Sequence, residues 1–250
     1  MSLQTELTKI REHYSSELSL IFDFVKTTEE KLTKKQSVYH VDNISKNQKD
    51  ELITFLKSVL NSDEEYVKVN FEEHPIGHIL KAVHISRKHK QFLTNMTLGY
   101  LISFQEALLK DYLYQILIHN KNSLKSNSKT TFDAILQFDS MEQLVKYLAK
   151  IEADSIGYGS IEDVAKYYES KFNIKLKYFA NWKLIVEATY RRNLLIHNKN
   201  ITNEIYCKLT GFDTVGVELE NDIDYIQKVT ESLLMFNIFC FESISSKFKQ

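Results

Sequence analysis

The sequence predicts an all-α protein built as a helical bundle. Only 6 glycines and 1 proline occur in 250 residues, whereas β-sandwiches and barrels need turn residues about every ten positions. Hydrophobic residues make up 43% and charged residues 26% of the chain, which is the composition of a globular protein. No GxGxxG and no Walker-type glycine-lysine loop occurs, which disfavours nucleotide-binding α/β folds.

In the first 90 residues, apolar positions recur at spacings of three and four, beginning with Leu7, Ile10 and Tyr14. This part of the chain is predicted to form a mainly helical N-terminal module of unknown role. Its predicted elements, in order, are a long helix over 3–35, a polar loop over 34–47, a helix over 49–60, a short strand over 66–71 and a helix over 76–89 that Pro75 opens.

Residues 91–250 are predicted to form a second helical domain with a more regular pattern. Its predicted helices cover 94–118, 132–149, 160–172, 181–198 and 220–247. A polar linker is expected over 121–129, and an Asn cap is expected at the start of the fourth of these helices.

Charge and cysteine content limit the class of protein. Lys and Arg total 32 against 33 Asp and Glu, giving a formal net charge of -1, so nucleic-acid binding would need a local basic patch. The two cysteines form no CxxC motif or disulfide framework. No signal peptide and no apolar run of membrane-spanning length is recognisable, so we expect a cytoplasmic protein with no membrane association.

The arginines single out one segment. Arg11, Arg87, Arg191 and Arg192 are the only four, and every other cationic side chain is lysine. Because arginine makes planar, bidentate contacts with phosphate, the Arg191-Arg192 pair marks a candidate site.

The segment after this pair places its polar residues on one arc of a helix. At about 100° per residue, Asn193 lies about 100° and His197 about 140° from Arg192, whereas Leu194 and Leu195 point towards the bundle. Ile196 falls inside the polar arc, which is unusual for a solvated face but natural if the arc packs against a second subunit.

These residue types suit cleavage of a phosphodiester bond. A histidine can take a proton from a hydroxyl or give one to a leaving oxygen, and an arginine stabilises phosphate charge in the transition state. RNA carries its own nucleophile in the 2′-hydroxyl, so no metal-activated water is required. A single chain supplies only Arg192 and His197, which do not make a full acid–base pair. A dimer would bring two copies of each residue together.

The segment Arg192-Asn193-x3-His197 resembles the RNxxxH signature of the HEPN superfamily. The stretch Leu101–Asp111 is similar to the first core helix of such domains, and the resemblance covers roughly residues 92–250. It implies a HEPN-type bundle and a metal-independent endoribonuclease that needs no cofactor, acts as a homodimer or higher homo-oligomer and leaves a 2′,3′-cyclic phosphate. Many members are toxins or anti-phage effectors, which implies an antitoxin or regulatory protein partner.

The resemblance also implies roles for individual residues. Arg192, His197 and Asn193 take the catalytic positions. The residues expected to contact the RNA substrate are Arg191, Asn198, Lys199 and Glu106.

The sequence also fits two other interpretations. HEPN-like domains include inactive members that only dimerise or bind RNA or protein. Alternatively, the protein is a helical adaptor in which Arg192 is a surface residue and His197 a helix-end residue stabilised by the helix dipole. Histidines are scattered at positions 74, 78, 84 and 89, but no cysteine or clear carboxylate triad completes a zinc site with them.

The segment 117–122 repeats at 195–200 as Leu-Ile-His-Asn-Lys-Asn. The first copy has Tyr114 and Gln115 where Arg192 and Asn193 stand in the second, so it lacks the motif.

Overall fold

The computed structural model describes residues 2–37, 75–124, 131–157 and 159–248, together with residues 47, 50 and 54. The all-α prediction is confirmed, because these ranges contain helices and no β-strand. The α-helices there are α1 (Leu3–Ser37), α2 (Pro75–His119), α3 (Phe132–Leu136), α4 (Met141–Ile156), α5 (Ile161–Phe172), α6 (Trp182–His197), α7 (Glu204–Thr210) and α8 (Ile223–Lys247). Two short 3-10 helices cover Lys121–Leu124 and Leu176–Tyr178.

Some sequence predictions fall on residues that the structure does not describe. The predicted strand over 66–71 lies outside the described residues, as do nearly all of the predicted helix over 49–60 and most of the loop predicted over 34–47. Residues 34–37 were predicted as loop but form the last turn of α1, since no glycine or proline ends the helix there.

The predicted break between residues 89 and 94 is wrong, because α2 runs without interruption through this region. The stretch contains neither glycine nor proline. The polar side chain of Thr94 is accommodated within the helix, since its hydroxyl donates to the Lys90 carbonyl at 3.1 Å.

The single helix predicted over 132–149 is also wrong, because the structure divides it into α3 and α4. Ser140 begins the second helix as its N-cap, and its hydroxyl accepts a hydrogen bond from the Gln143 N–H at 3.2 Å. The Gln143 side chain in turn accepts from the Asp139 N–H at 3.1 Å. Ser140 therefore begins a new helix within a stretch whose apolar spacing had predicted a single one.

The chain divides into two compact units, residues 1–22 with 97–250 and residues 23–96. The boundary at Met96 is close to the predicted one near residue 90, but the first 22 residues group with the larger unit rather than with an N-terminal module. In the smaller unit, Lys90 forms an ion pair with Glu29 at 3.0 Å and donates to the Thr33 hydroxyl at 2.6 Å.

The core of the larger unit is centred on α2 and α8. Tyr112, Ile116 and Phe236 are fully buried there, as is Tyr168 of α5, whose hydroxyl donates to the Leu109 carbonyl at 2.5 Å. These contacts fix α2, on which Glu106 lies, relative to the C-terminal helices.

A buried polar contact joins α1, α2 and α8. The Tyr112 hydroxyl donates to Asn237 Oδ1 at 2.8 Å, and Asn237 Nδ2 donates to the Arg11 carbonyl and to Ser15 Oγ, both at 2.9 Å. Both Tyr112 and Asn237 are fully buried. Removing one of these partners would leave a polar atom of the Asn237 amide buried without a hydrogen bond, which destabilises the fold.

We therefore expect Tyr112→Phe to lower the free energy of unfolding by about 1–3 kcal/mol, because Asn237 Oδ1 loses its donor inside the core. Urea denaturation followed by circular dichroism measures this change. Tyr100→Phe is the matched control, since Tyr100 lies on the same helix but is 53% exposed. Equal unfolding midpoints for the two variants would contradict the prediction.

Candidate functional site

Helix α6 carries the predicted motif in its last two turns. The helix begins at Trp182 after Asn181, which occupies the cap position without a side-chain hydrogen bond. Leu194 is buried at 4% exposure against Tyr206 and Leu219, as the helical arc predicts. Leu195, also predicted to point inward, is only half-buried.

The end of α6 is fixed by an unusual turn. Lys199 and Asn200 both adopt left-handed conformations, with φ of 52° and 62°. The Asn200 N–H donates to the Leu194 carbonyl at 3.0 Å, and its side-chain amide donates to the Leu219 carbonyl. The first Leu-Ile-His-Asn-Lys-Asn copy ends differently, in a 3-10 helix, so the two copies share sequence but not conformation.

Arg192 points towards α2, where its Nη2 forms an ion pair with Glu106 Oε1. The Arg192 side chain is 16% exposed, and its Nε is buried without a hydrogen-bond partner. Among the described residues, Glu106 is the only hydrogen-bonding partner of this guanidinium. The structure thus brings together two predicted site residues that are 86 positions apart.

Glu106 is a carboxylate in a partly apolar setting. A cavity of about 20 Å³ lies beside it, lined also by Leu113, Ile161 and Val164. Burial raises the pKa of the Glu106 carboxyl, and the charge of Arg192 opposes this shift without cancelling it.

This shift predicts how stability depends on pH. Folding disfavours the ionised form of Glu106, so the wild type loses stability as the pH rises from the unfolded pKa through the higher folded pKa. Glu106→Gln lacks this loss. The free energy of unfolding of the wild type minus that of the variant should therefore fall as the pH rises from about 4 to neutrality. Urea denaturation of both proteins across this range tests the sign, and a difference that increases with pH would contradict it.

His197 lies at the accessible end of the motif. Its side chain is exposed, and so is the neighbouring Ile196, at 57%. Asn193 is half-buried on the same helix. The imidazole is therefore presented to a ligand or to another protein surface.

Arg191 faces a different part of the protein. Its Nε pairs with Glu187 at 2.7 Å, its Nη1 donates to Asn221 Oδ1 at 3.3 Å and to the Glu220 carbonyl at 3.4 Å, and its guanidinium lies 4.2 Å from the Tyr225 ring centroid. Contact with RNA phosphate stays a prediction for this residue, and it would require Arg191 to give up these internal partners.

Glu187 is the centre of a cluster that sequence reasoning missed. Besides Arg191, it accepts hydrogen bonds from the hydroxyls of Tyr206 at 2.5 Å and Tyr225 at 2.7 Å. Burial and the Glu187 carboxylate raise the pKa of both hydroxyls, so they remain protonated donors. The signal in the sequence was the i,i+4 spacing of Glu187 and Arg191.

The remaining predicted substrate-binding residues follow α6. The Asn198 amide donates to the Ile201 carbonyl at 2.6 Å, whereas Lys199 is exposed in the left-handed turn. Lys199 is thus open to a ligand, and Asn198 closes the turn.

The histidine, acidic and thiol side chains in the described part of the chain bear on whether it can hold a zinc ion. No group of three His, Cys, Asp or Glu side chains is placed there to hold a metal ion. Of the four histidines considered from the sequence, His89 is exposed, and the side chains of His74, His78 and His84 lie outside the described residues.

Within the described ranges, none of the helices combines the length and the apolar character that a membrane span requires. Comparisons with protein-family models, curated proteins and solved structures found no match to this chain. The HEPN resemblance therefore rests on the residues of the chain itself.

Proposed function

We propose that this protein is a HEPN-type, metal-independent endoribonuclease whose active site forms between two copies of the chain. The observation that supports this most is the arrangement on α6. Glu106 holds the Arg192 guanidinium in place, while His197 and Ile196 are exposed at the end of the same helix. A cation and an accessible imidazole carried by the last turns of one helix are the groups that cleavage of a ribose–phosphate link uses.

In the proposed reaction, His197 of one copy takes the proton from the RNA 2′-hydroxyl. The 2′-oxygen attacks phosphorus and the bond to the 5′-oxygen breaks. His197 of the second copy, in its protonated form, gives a proton to the departing oxygen. The products are a 2′,3′-cyclic phosphate and a 5′-hydroxyl, and no water is consumed in this step.

Arg192 stabilises the phosphate as its charge grows, and Asn193 positions the scissile group. The guanidinium carries five N–H donors, and Glu106 is its only hydrogen-bond partner among the described residues, so donors beyond this contact remain. Glu106 is a positioning residue, since it restricts the guanidinium to one orientation. Lys199, which is exposed, contacts the RNA backbone.

As a cellular role, we propose a cytoplasmic toxin or anti-phage effector. An enzyme that cuts RNA of its own cell must be restrained, so an antitoxin or regulatory protein is part of this proposal.

A second candidate function is a HEPN-like module that dimerises or binds RNA or protein without cutting. One observation favours it, since Arg192 is only 16% exposed and already has an anionic partner in Glu106. Incubation of the purified chain with RNA in EDTA separates the two functions. Cleavage that Arg192→Ala and His197→Ala both abolish supports the enzyme, and an absence of cleavage supports the module.

A further inference from the structure

A second feature of the larger unit is a groove of about 440 Å³ between the 3-10 helix Leu176–Tyr178 and the last turns of α8. Six of the side chains that line the groove can bind a polar, aromatic or anionic ligand. They belong to Lys175, Tyr178, Phe239, Ser243, Ser246 and Lys247.

The groove has a cationic lining in a chain whose net charge is -1. None of its described lining residues is acidic, and in the described structure no carboxylate lies within ion-pair distance of Lys175 or Lys247. Two lysines with no carboxylate partner among the described residues give this groove a positive charge that attracts anions.

An exposed aromatic ring lies beside these charges. Tyr178 is 73% exposed, and Lys175 Nζ lies over one face of its ring, 5.0 Å from the centroid, which leaves the opposite face for a stacking partner. The adjacent Phe179 is buried and packs against Phe236 and Phe239, with ring centroids 5.2 and 5.6 Å apart. This packing holds the backbone at Tyr178, so its ring is presented on a rigid base.

We infer that this groove binds single-stranded RNA, an inference that rests on the proposed function. A nucleobase stacks on Tyr178, the flanking phosphates contact Lys175 and Lys247, and the hydroxyls of Ser243 and Ser246 hydrogen-bond the ribose and phosphate. An acidic peptide would use the two lysines but leave the exposed ring without a partner, whereas a nucleotide uses both.

The groove and the RNxxxH motif lie at opposite ends of the α6–α8 pair. Arg191 contacts Asn221, just before α8, and Trp182 at the start of α6 lies 6.1 Å from Phe236, between ring centroids. From Trp182 to His197 the helix axis spans about 22 Å at 1.5 Å per residue. The groove residues Ser243–Lys247 follow Phe236 on α8, so the groove and His197 are farther apart than this length.

The test uses the full chain and a 2′-O-methyl RNA of about twelve nucleotides, labelled for fluorescence anisotropy, because this RNA lacks the nucleophile and is not cleaved. Tyr178→Ala should weaken binding about tenfold, and Tyr178→Phe should retain it. Lys175→Gln and Lys247→Gln should each reduce the slope of log Kd against log salt by about 0.7. The matched controls are Tyr147→Ala, an exposed tyrosine on α4, and Lys166→Gln, whose charge Asp163 compensates.

The outcomes separate this inference from the proposed function. Selective weakening by Tyr178→Ala supports the groove even if the parent chain cuts no RNA. If the parent cuts RNA but Tyr178→Ala binds as tightly as the parent, the groove is rejected and the enzyme stands. Equal weakening by Tyr147→Ala and Tyr178→Ala would also overturn the inference.

Discussion

Replacing His197 with alanine is expected to reduce RNA cleavage in EDTA by about a hundredfold or more. The variant loses the group that moves protons at the 2′-hydroxyl and at the leaving oxygen, and such proton transfers contribute about 10²–10⁴-fold to rate. His197 is exposed, so its removal should leave the fold intact. Cleavage of a labelled RNA followed on denaturing gels, with mass spectrometry for the cyclic phosphate, measures the effect.

Arg192→Ala should cause a comparable loss, because the phosphate charge that grows in the transition state loses its stabilising cation. Arg192→Lys should restore only part of the rate, since an ammonium keeps the charge but not the planar, two-point contact. Arg192→Ala also leaves Glu106 without its ion-pair partner, so its unfolding curve must be compared with that of the parent chain.

The chain supplies its own matched control in His119. This residue ends α2 within the same six-residue sequence that surrounds His197, and it is also exposed. It lacks the arginine and asparagine of the motif, so His119→Ala should cleave RNA at the parental rate. An equal loss in His119→Ala and His197→Ala, or no loss in either, would contradict the site assignment.

The part of the site that follows helical periodicity could be predicted from the sequence. Because successive residues differ by about 100°, the burial of Leu194 followed from its position. The same arc grouped Arg192 with His197, but the structure encloses Arg192 and exposes His197. The same reasoning identified Ile196 as an apolar residue among polar ones, and the structure exposes it.

What remained unpredicted depends on tertiary contacts. Arg191 and Arg192 are neighbours in sequence, but one faces Glu187 and the other faces Glu106 on α2. The sequence could not show that Arg191, and not Arg192, would lie in the cluster with Tyr206 and Tyr225. The continuity of α2 was missed for a related reason, since a polar stretch without glycine or proline can be either a loop or an exposed helical turn.

Ile196→Asp is expected to dissociate the proposed dimer into monomers and to lower the proposed RNA cleavage by about a hundredfold. In a twofold interface the new carboxylate would be desolvated and would lie near its symmetry mate, and such like-charge contacts cost several kcal/mol. Sedimentation equilibrium gives the mass, and the RNA assay at the same concentration gives the activity.

Ile238→Asp on α8 is the matched control, because Ile238 is also an exposed isoleucine, at 46%, but lies outside the motif. Both substitutions should change the free energy of unfolding of the monomer by no more than about 0.5 kcal/mol, since each side chain is already exposed to solvent. A higher concentration of the Ile196→Asp protein should restore dimer and cleavage together, because association follows mass action. A monomeric Ile196→Asp protein that cuts RNA at the parental rate would rule out a site shared between two copies. If the variant instead remained dimeric, Ile196 would not lie in the interface, and the pairing of the two His197 side chains would have to be abandoned.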